Sequence, residues 1–158
     1  ALLWCFVRTE SAVHRRGFTI IELLAVMAII AALTTIAIPA IQDALERARV
    51  ARAIGDIGAL QTDLDGLDSL PPDLASIGRG TLEDPWGNPY QYLRFPQRSR
   101  GVPQGARRDR FLVPVNTAYD LYSMGRDGAS KAPFSARASR DDIVRANDGG
   151  FIGLAARF

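Results

Sequence analysis

Glu22 is the residue whose position asks for a chemical explanation. From Leu23 to Gln42 there are twenty residues without a charged side chain, and this acid stands at their edge. An acid inside an apolar membrane helix costs about 2.5–3.5 kcal/mol at mid-span, so it needs a partner, and a cation is the natural one. Arg15, Arg16 and Gly17 come immediately before Phe18-Thr19-Ile20-Ile21-Glu22. That order puts the obvious processing point at Gly17, ahead of the apolar run, so cleavage there leaves the hydrophobic helix in the mature protein. A secretory signal has a shorter apolar core followed by a small-residue cleavage site, and Ala37-Ile38-Pro39 is a poor site of that kind. At 1.5 Å per residue, about twenty residues of helix cross the roughly 30 Å hydrocarbon layer of a bilayer.

Catalytic chemistry finds few candidates. The one histidine, His14, and the one cysteine, Cys5, both precede Gly17 and would leave with the leader. No His-based metal set and no phosphate-binding glycine loop is present. Asp141-Asp142 could be imagined as a carboxylate pair for acid–base work, but neighbours on a strand point to opposite faces. No catalytic residues are therefore assigned, and the expectation is that the protein is not an enzyme. The formal charge is +2, and the leader carries Arg8, Arg15 and Arg16 against Glu10, so the mature chain is neutral and nucleic-acid binding is not expected. Without a mature cysteine no disulfide forms. The sequence begins at Ala1, so the leader is expected to be incomplete or its start misassigned.

These residues need an anchor and a small folded body to carry them. The expected boundaries are a leader over 1–17, a transmembrane helix over 18–41, and a folded domain over 42–158. Beyond Pro39 an apolar stripe runs through Ile41, Leu45, Ala48, Val50, Ile54, Ile57, Leu60, Leu64 and Leu67 at helical spacing. The helix is predicted from Phe18 to about Leu70, where Pro71-Pro72 ends it. Gly55, Gly58 and Gly66 each weaken it by about 1 kcal/mol, so packing must hold it. Residues 71–88 read as a loop with a short helical turn near Asp73–Ile77. Asp84-Pro85-Trp86-Gly87-Asn88-Pro89-Tyr90-Gln91-Tyr92 reads as tight turns leading into a strand. Phe111–Val115 and Tyr119–Met124 read as further strands. The six arginines between Arg94 and Arg110 read as a solvated hairpin loop, with an anionic partner as the alternative. The fold class is α+β, a long N-terminal helix packed on an antiparallel sheet of three or four strands.

Gly17-Phe18-Thr19-Ile20-Ile21-Glu22-Leu23 resembles the cleavage and methylation motif of type IV pilins and type II secretion pseudopilins. The resemblance implies a type IV pilin-like fold, cutting between Gly17 and Phe18 by a prepilin peptidase, and methylation of the Phe18 amine. It gives Glu22 a role in assembly and places a helix-loosening proline at Pro39; a plain signal-anchor helix with an incidental glutamate is the alternative. Asp84–Tyr90 resembles the Asp-Pro-Trp-Gly-Asn-Pro-Tyr segment of type II secretion major pseudopilins. Asp120–Gly128 and Asp142-Ile143 resemble two later segments of the same family.

The family reading implies a homo-oligomeric helical filament in the periplasm that serves protein export, and it makes 18–41 a filament-core helix and 42–158 a periplasmic domain. Its partners would be minor pseudopilins and an inner-membrane assembly platform, with the protein itself a single-pass inner-membrane subunit. A type IV pilus subunit, building a surface fibre for adhesion, motility or DNA uptake, is the alternative. Arginine counts do not decide topology, since Arg47, Arg49 and Arg52 follow the span as Arg8, Arg15 and Arg16 precede it. The resemblance also implies one calcium ion in the C-terminal loop, held by Asp127, Asp142 and backbone carbonyls. Ala129–Asp141 is longer than the family's link and carries Lys131, Arg137 and Arg140, cations that would pair with those aspartates if no metal did.

Overall fold

The computed structural model describes residues 17–96 and 101–158. The leader apart from Gly17, with Cys5 and His14, lies outside the described residues, as do Arg98 and Arg100. The chain divides into two compact units between Gln42 and Asp43.

Helix α1 spans Ile20–Asp65 and contains Pro39. Its first part, in the N-terminal unit, is apolar on every side beyond Glu22 and none of its residues is buried, with Ile20, Ile21, Leu24, Ile29, Leu33 and Ile36 all exposed. A helix apolar all round calls for lipid or other protein around it. The hydroxyls of Thr34 and Thr35 donate back to the carbonyls of Ile30 (2.7 Å) and Ala31 (2.9 Å) and so need no water. By length and composition this helix can cross a membrane.

The second unit begins with the remainder of α1, whose buried residues are Ala53, Ile57, Leu60 and Leu64. Full burial of each Ile or Leu contributes about 1.5–3 kcal/mol. The predicted stripe holds at Ile57, Leu60 and Leu64, but Ile41, Leu45 and Leu67 are exposed and Ala53 was missing from it. The helix also stops short of the expected Leu70. The amide of Gly66 makes the last α-type bond to Thr62 (3.2 Å), and Leu67 bonds Leu64 (3.2 Å) in a tighter turn. Asp73 starts the predicted short turn, accepting from the Ser76 amide (2.8 Å) and hydroxyl (2.6 Å), and a 3-10 turn follows over Ala75–Ile77.

Four strands form one antiparallel meander: β1 Gln91–Arg94, β2 Tyr119–Ser123, β3 Ile143–Ala146 and β4 Phe151–Leu154, in the order 1-2-3-4. In register, Tyr92 faces Leu121, Tyr122 faces Val144, and Val144 faces Gly153. Alternation along the strands separates two cores. Tyr119, Leu121 and Ile143 join Ile57, Leu60 and Leu64 of α1. Val144 and Ala146 turn the other way, onto Val115, Phe134 and Ala155, with Tyr122 and Phe151 packed alongside. The helix covers one face of the sheet, and irregular chain covers the other.

The predicted strand Phe111–Val115 does not form. Phe111 is 93% exposed, Asp109 donates across a turn to the Leu112 carbonyl (3.0 Å), and Pro114 has no N–H for a ladder. Only its last residue, Val115, reaches the core.

Candidate functional site

Two regions carry the predicted site residues. At the N-terminal end, Phe18 is exposed just ahead of α1, so the Gly17–Phe18 bond lies outside the helix, before its first turn. Thr19 caps the helix. Its amide (2.9 Å) and its hydroxyl (2.8 Å) both donate to Glu22 Oε2, while the Glu22 amide donates to Thr19 Oγ1 (3.3 Å). This reciprocal arrangement is a capping box, which satisfies amides that the first turn leaves without helical partners. The Thr-x-x-Glu spacing signals it in the sequence, although the apolar setting of Glu22 draws attention to its charge first. Among the described residues no cation pairs with Glu22. Pro39 lies inside α1, where the missing N–H deprives the Thr35 carbonyl of its helical donor.

The second region is the C-terminal loop. Asp127 and Asp142 do not converge as a ligand pair. Asp127 is exposed; its Oδ1 accepts from the Ala129 amide (2.8 Å) within its own turn, and its amide donates to Asp141 Oδ2 (3.1 Å). Asp142 is fully buried, and its Oδ2 accepts from Ser130 (2.6 Å) and from the guanidinium of Arg107. Burial pushes the Asp142 carboxyl above its usual range, against the lowering effect of Ser130 and Arg107. Calcium takes six to eight oxygens, and a cation already on a ligand carboxylate competes with it for that charge. With a guanidinium already on Asp142 and Asp127 engaged within its own turn, the two aspartates do not form a shared ligand set. None of Lys131, Arg137 and Arg140 pairs with Asp127 or Asp142.

Arg107 comes instead from the arginine run read as solvated, and it is 2% exposed. Its Nη1 donates to the Lys131 carbonyl (2.7 Å) and to Ser130 Oγ. Its amide donates to Asp120 Oδ2 (2.6 Å). Nothing local in the sequence distinguishes it from its neighbours.

Between these regions, the Asp84–Tyr90 segment acts as a clasp rather than a reactive site. Buried Asp84 Oδ1 accepts from the amides of Trp86 (3.0 Å) and Asn88 (2.8 Å), and its Oδ2 accepts from Ser123. Asn88 donates to the Gly125 carbonyl (3.0 Å), tying the turn to the end of β2. Trp86 Nε1 reaches Glu46 (3.1 Å) and the Tyr90 hydroxyl reaches Asp56 (2.9 Å), both on α1. Arg145 makes a similar join that sequence reasoning missed. It lies 4.2 Å from the Tyr119 ring centre and donates to Gln61 on α1 (3.1 Å). The two signature segments, Asp84–Tyr90 and Asp120–Gly128, therefore hold helix, sheet and C-terminal loop together.

Residues 13–38 match the prokaryotic N-terminal methylation motif. The chain is 31% identical to type II secretion system core protein G of Pseudomonas aeruginosa over 140 residues, 73% of this chain and 86% of that protein. It is 30% identical to the core protein G of Dickeya chrysanthemi over 144 residues, 86% of this chain and 89% of that protein. It is also 38% identical to fimbrial protein Q of Moraxella bovis over 129 residues, 80% of this chain and 73% of that protein. No solved structure matches.

Proposed function

We propose that this chain, which belongs to the type II secretion major pseudopilin family of type IV pilin-like proteins, is the repeating subunit of a periplasmic filament that serves protein export. The observation that carries this reading is the extent of the relationship to core protein G, which covers 86% of this chain and 89% of the Dickeya chrysanthemi protein.

In this account a prepilin peptidase cuts between Gly17 and Phe18 and the new Phe18 amine is methylated. The chain stays in the inner membrane through the first half of α1, with Asp43–Phe158 on the periplasmic side. On assembly, the apolar surface of that half-helix exchanges lipid for the same surface of neighbouring subunits. Glu22 then accepts the N-terminal amine of a neighbour. Such a pair, once buried, fixes the stagger between subunits, because a slip of one turn strands both charges in a low dielectric. Thr19 occupies one carboxylate oxygen, Oε2, from within the same chain, and the amine would be shared with it or taken by Oε1. Pro39, at the outer end of the apolar run, supplies a weak point where α1 can loosen during packing. Minor pseudopilins and an inner-membrane assembly platform are the expected partners.

The 38% identity to a fimbrial protein favours a second reading, a type IV pilus subunit. Deleting the gene separates them. Loss of exported proteins from the medium, with their accumulation in the periplasm, is expected for the secretion filament. Loss of surface fibres with export intact would establish the pilus.

A further inference from the structure

We propose that Arg107 is a built-in replacement for a metal ion, closing the C-terminal loop by a buried guanidinium–carboxylate staple to Asp142. The backbone around Arg107 is fixed on three sides before its side chain does anything. Its carbonyl accepts from the Val115 amide (2.9 Å), and its amide donates to Asp120 on β2 (2.6 Å). The next residue, Arg108, exchanges backbone bonds with the 132–134 segment: its amide donates to Ala132 (3.0 Å) and its carbonyl accepts from Phe134 (3.0 Å).

From that fixed base the side chain runs between two rings, with the guanidinium carbon 4.3 Å from the centre of Tyr122 and 5.2 Å from that of Phe134. A planar, weakly hydrated cation suits such a slot, and an ammonium does not. The guanidinium then bridges Asp142, Ser130 and the Lys131 carbonyl. Two oxygen-bearing side chains and a carbonyl around one cation are the contacts a bound metal would also seek. Here the charge comes from the chain itself. The pair joins residues 35 apart in sequence, gathering the 107–115 segment, the 130–134 segment and the start of β3 at one point.

Among the described residues two buried polar side-chain atoms are without a hydrogen-bond partner, Arg107 Nε and Asp142 Oδ1. They belong to the same pair. They are the two atoms that a side-on bidentate arrangement would join, so a small turn of the carboxylate satisfies both. A calcium ion on Oδ1 would instead face the guanidinium across the carboxylate, like charge against like.

The test is thermal melting of the detergent-solubilised full chain, followed by circular dichroism, in excess calcium and in chelator. The wild type is expected to melt at the same temperature in both. Arg107→Met leaves Asp142 as an uncompensated buried charge and is expected to lower the melting point by roughly 10 °C. Adding Asp142→Asn to Arg107→Met removes that charge, and the double variant is expected to melt above the single one, or to fold where the single variant does not. A rise of several degrees with calcium in the wild type would overturn the proposal, as saturating ligand must stabilise the state that binds it. So would a double variant no more stable than Arg107→Met. Because the readout is the folding of one chain, either failure leaves the filament reading intact.

Discussion

Thr19 and Glu22 hold each other at the start of α1, the threonine amide and hydroxyl both donating to one glutamate oxygen while the glutamate amide donates back to the hydroxyl. The same carboxylate therefore has a local use in the isolated chain and a charge left for an assembly partner. The two uses separate by substitution. Thr19→Ala removes the cap and costs about 1 kcal/mol at the helix end, yet it leaves the charge in place, so filaments are expected to form in near-normal yield. Glu22→Ala removes both. It is expected to be inserted and cleaved but to assemble poorly, as counted by electron microscopy of overexpressing cells. Normal filament yield from Glu22→Ala would show that the carboxylate does not set the register; methylation lost with assembly intact would give it to the methylating enzyme instead.

Gly125→Ala is expected to destabilise the second unit strongly. Gly125 has φ of +64°, and a Cβ there would lie 2.4 Å from the Asp141 carbonyl oxygen, a backbone atom no rotamer change can move away. The left-handed conformation alone costs an ordinary residue about 1–2 kcal/mol, and the clash adds to it. A fall of several degrees in melting point is the expected result; an unchanged melt would mean that the turn after β2 is not held as described.

Alkaline pH gives a further test. All four tyrosines, Tyr90, Tyr92, Tyr119 and Tyr122, have phenol pKa values raised above the ordinary 10, each chiefly by burial, with the Asp56 carboxylate adding to it at Tyr90. Above pH 10 the unfolded chain releases phenol protons that the folded chain keeps, so stability falls as pH rises. The phenolate absorption of the native protein is expected to stay low above pH 10 and then to appear in one cooperative step with loss of circular dichroism. Gradual ionisation near pH 10, with the fold intact, would contradict the buried contacts of these rings.

The sequence was most readable where residue type and order are themselves the constraint. The Arg-Arg-Gly-apolar order at 15–18 and the uncharged stretch from Leu23 to Gln42 leave few alternatives to an anchored helix. Ile57, Leu60 and Leu64 were legible because helical spacing forces them onto one face. Pro85, Gly87, Asn88 and Pro89 read as turn formers, and in the structure the amides of Gly87 and Asn88 both bond back to Asp84. Phe111–Val115 misled because apolar composition says nothing about whether partners exist for the backbone. β3 and β4 are four residues each, with Ala146 and Gly153 diluting an already short signal. Arg107 was illegible for a different reason: its burial is decided by Tyr122, Phe134 and Asp142, all distant in the chain, while its neighbours in sequence are arginines as well.

The claim that this chain is a processed, filament-forming pseudopilin is tested most directly by the intact mass of the protein extracted from membranes of cells that carry a prepilin peptidase. The predicted result is one species beginning at Phe18 and heavier by about 14 Da, the mass of one methyl group on its terminal amine. Replacing Gly17 by a bulky residue is expected to return the mass of the uncut chain. A native mass that retains residues before Phe18, or that begins at any other position, would contradict the account.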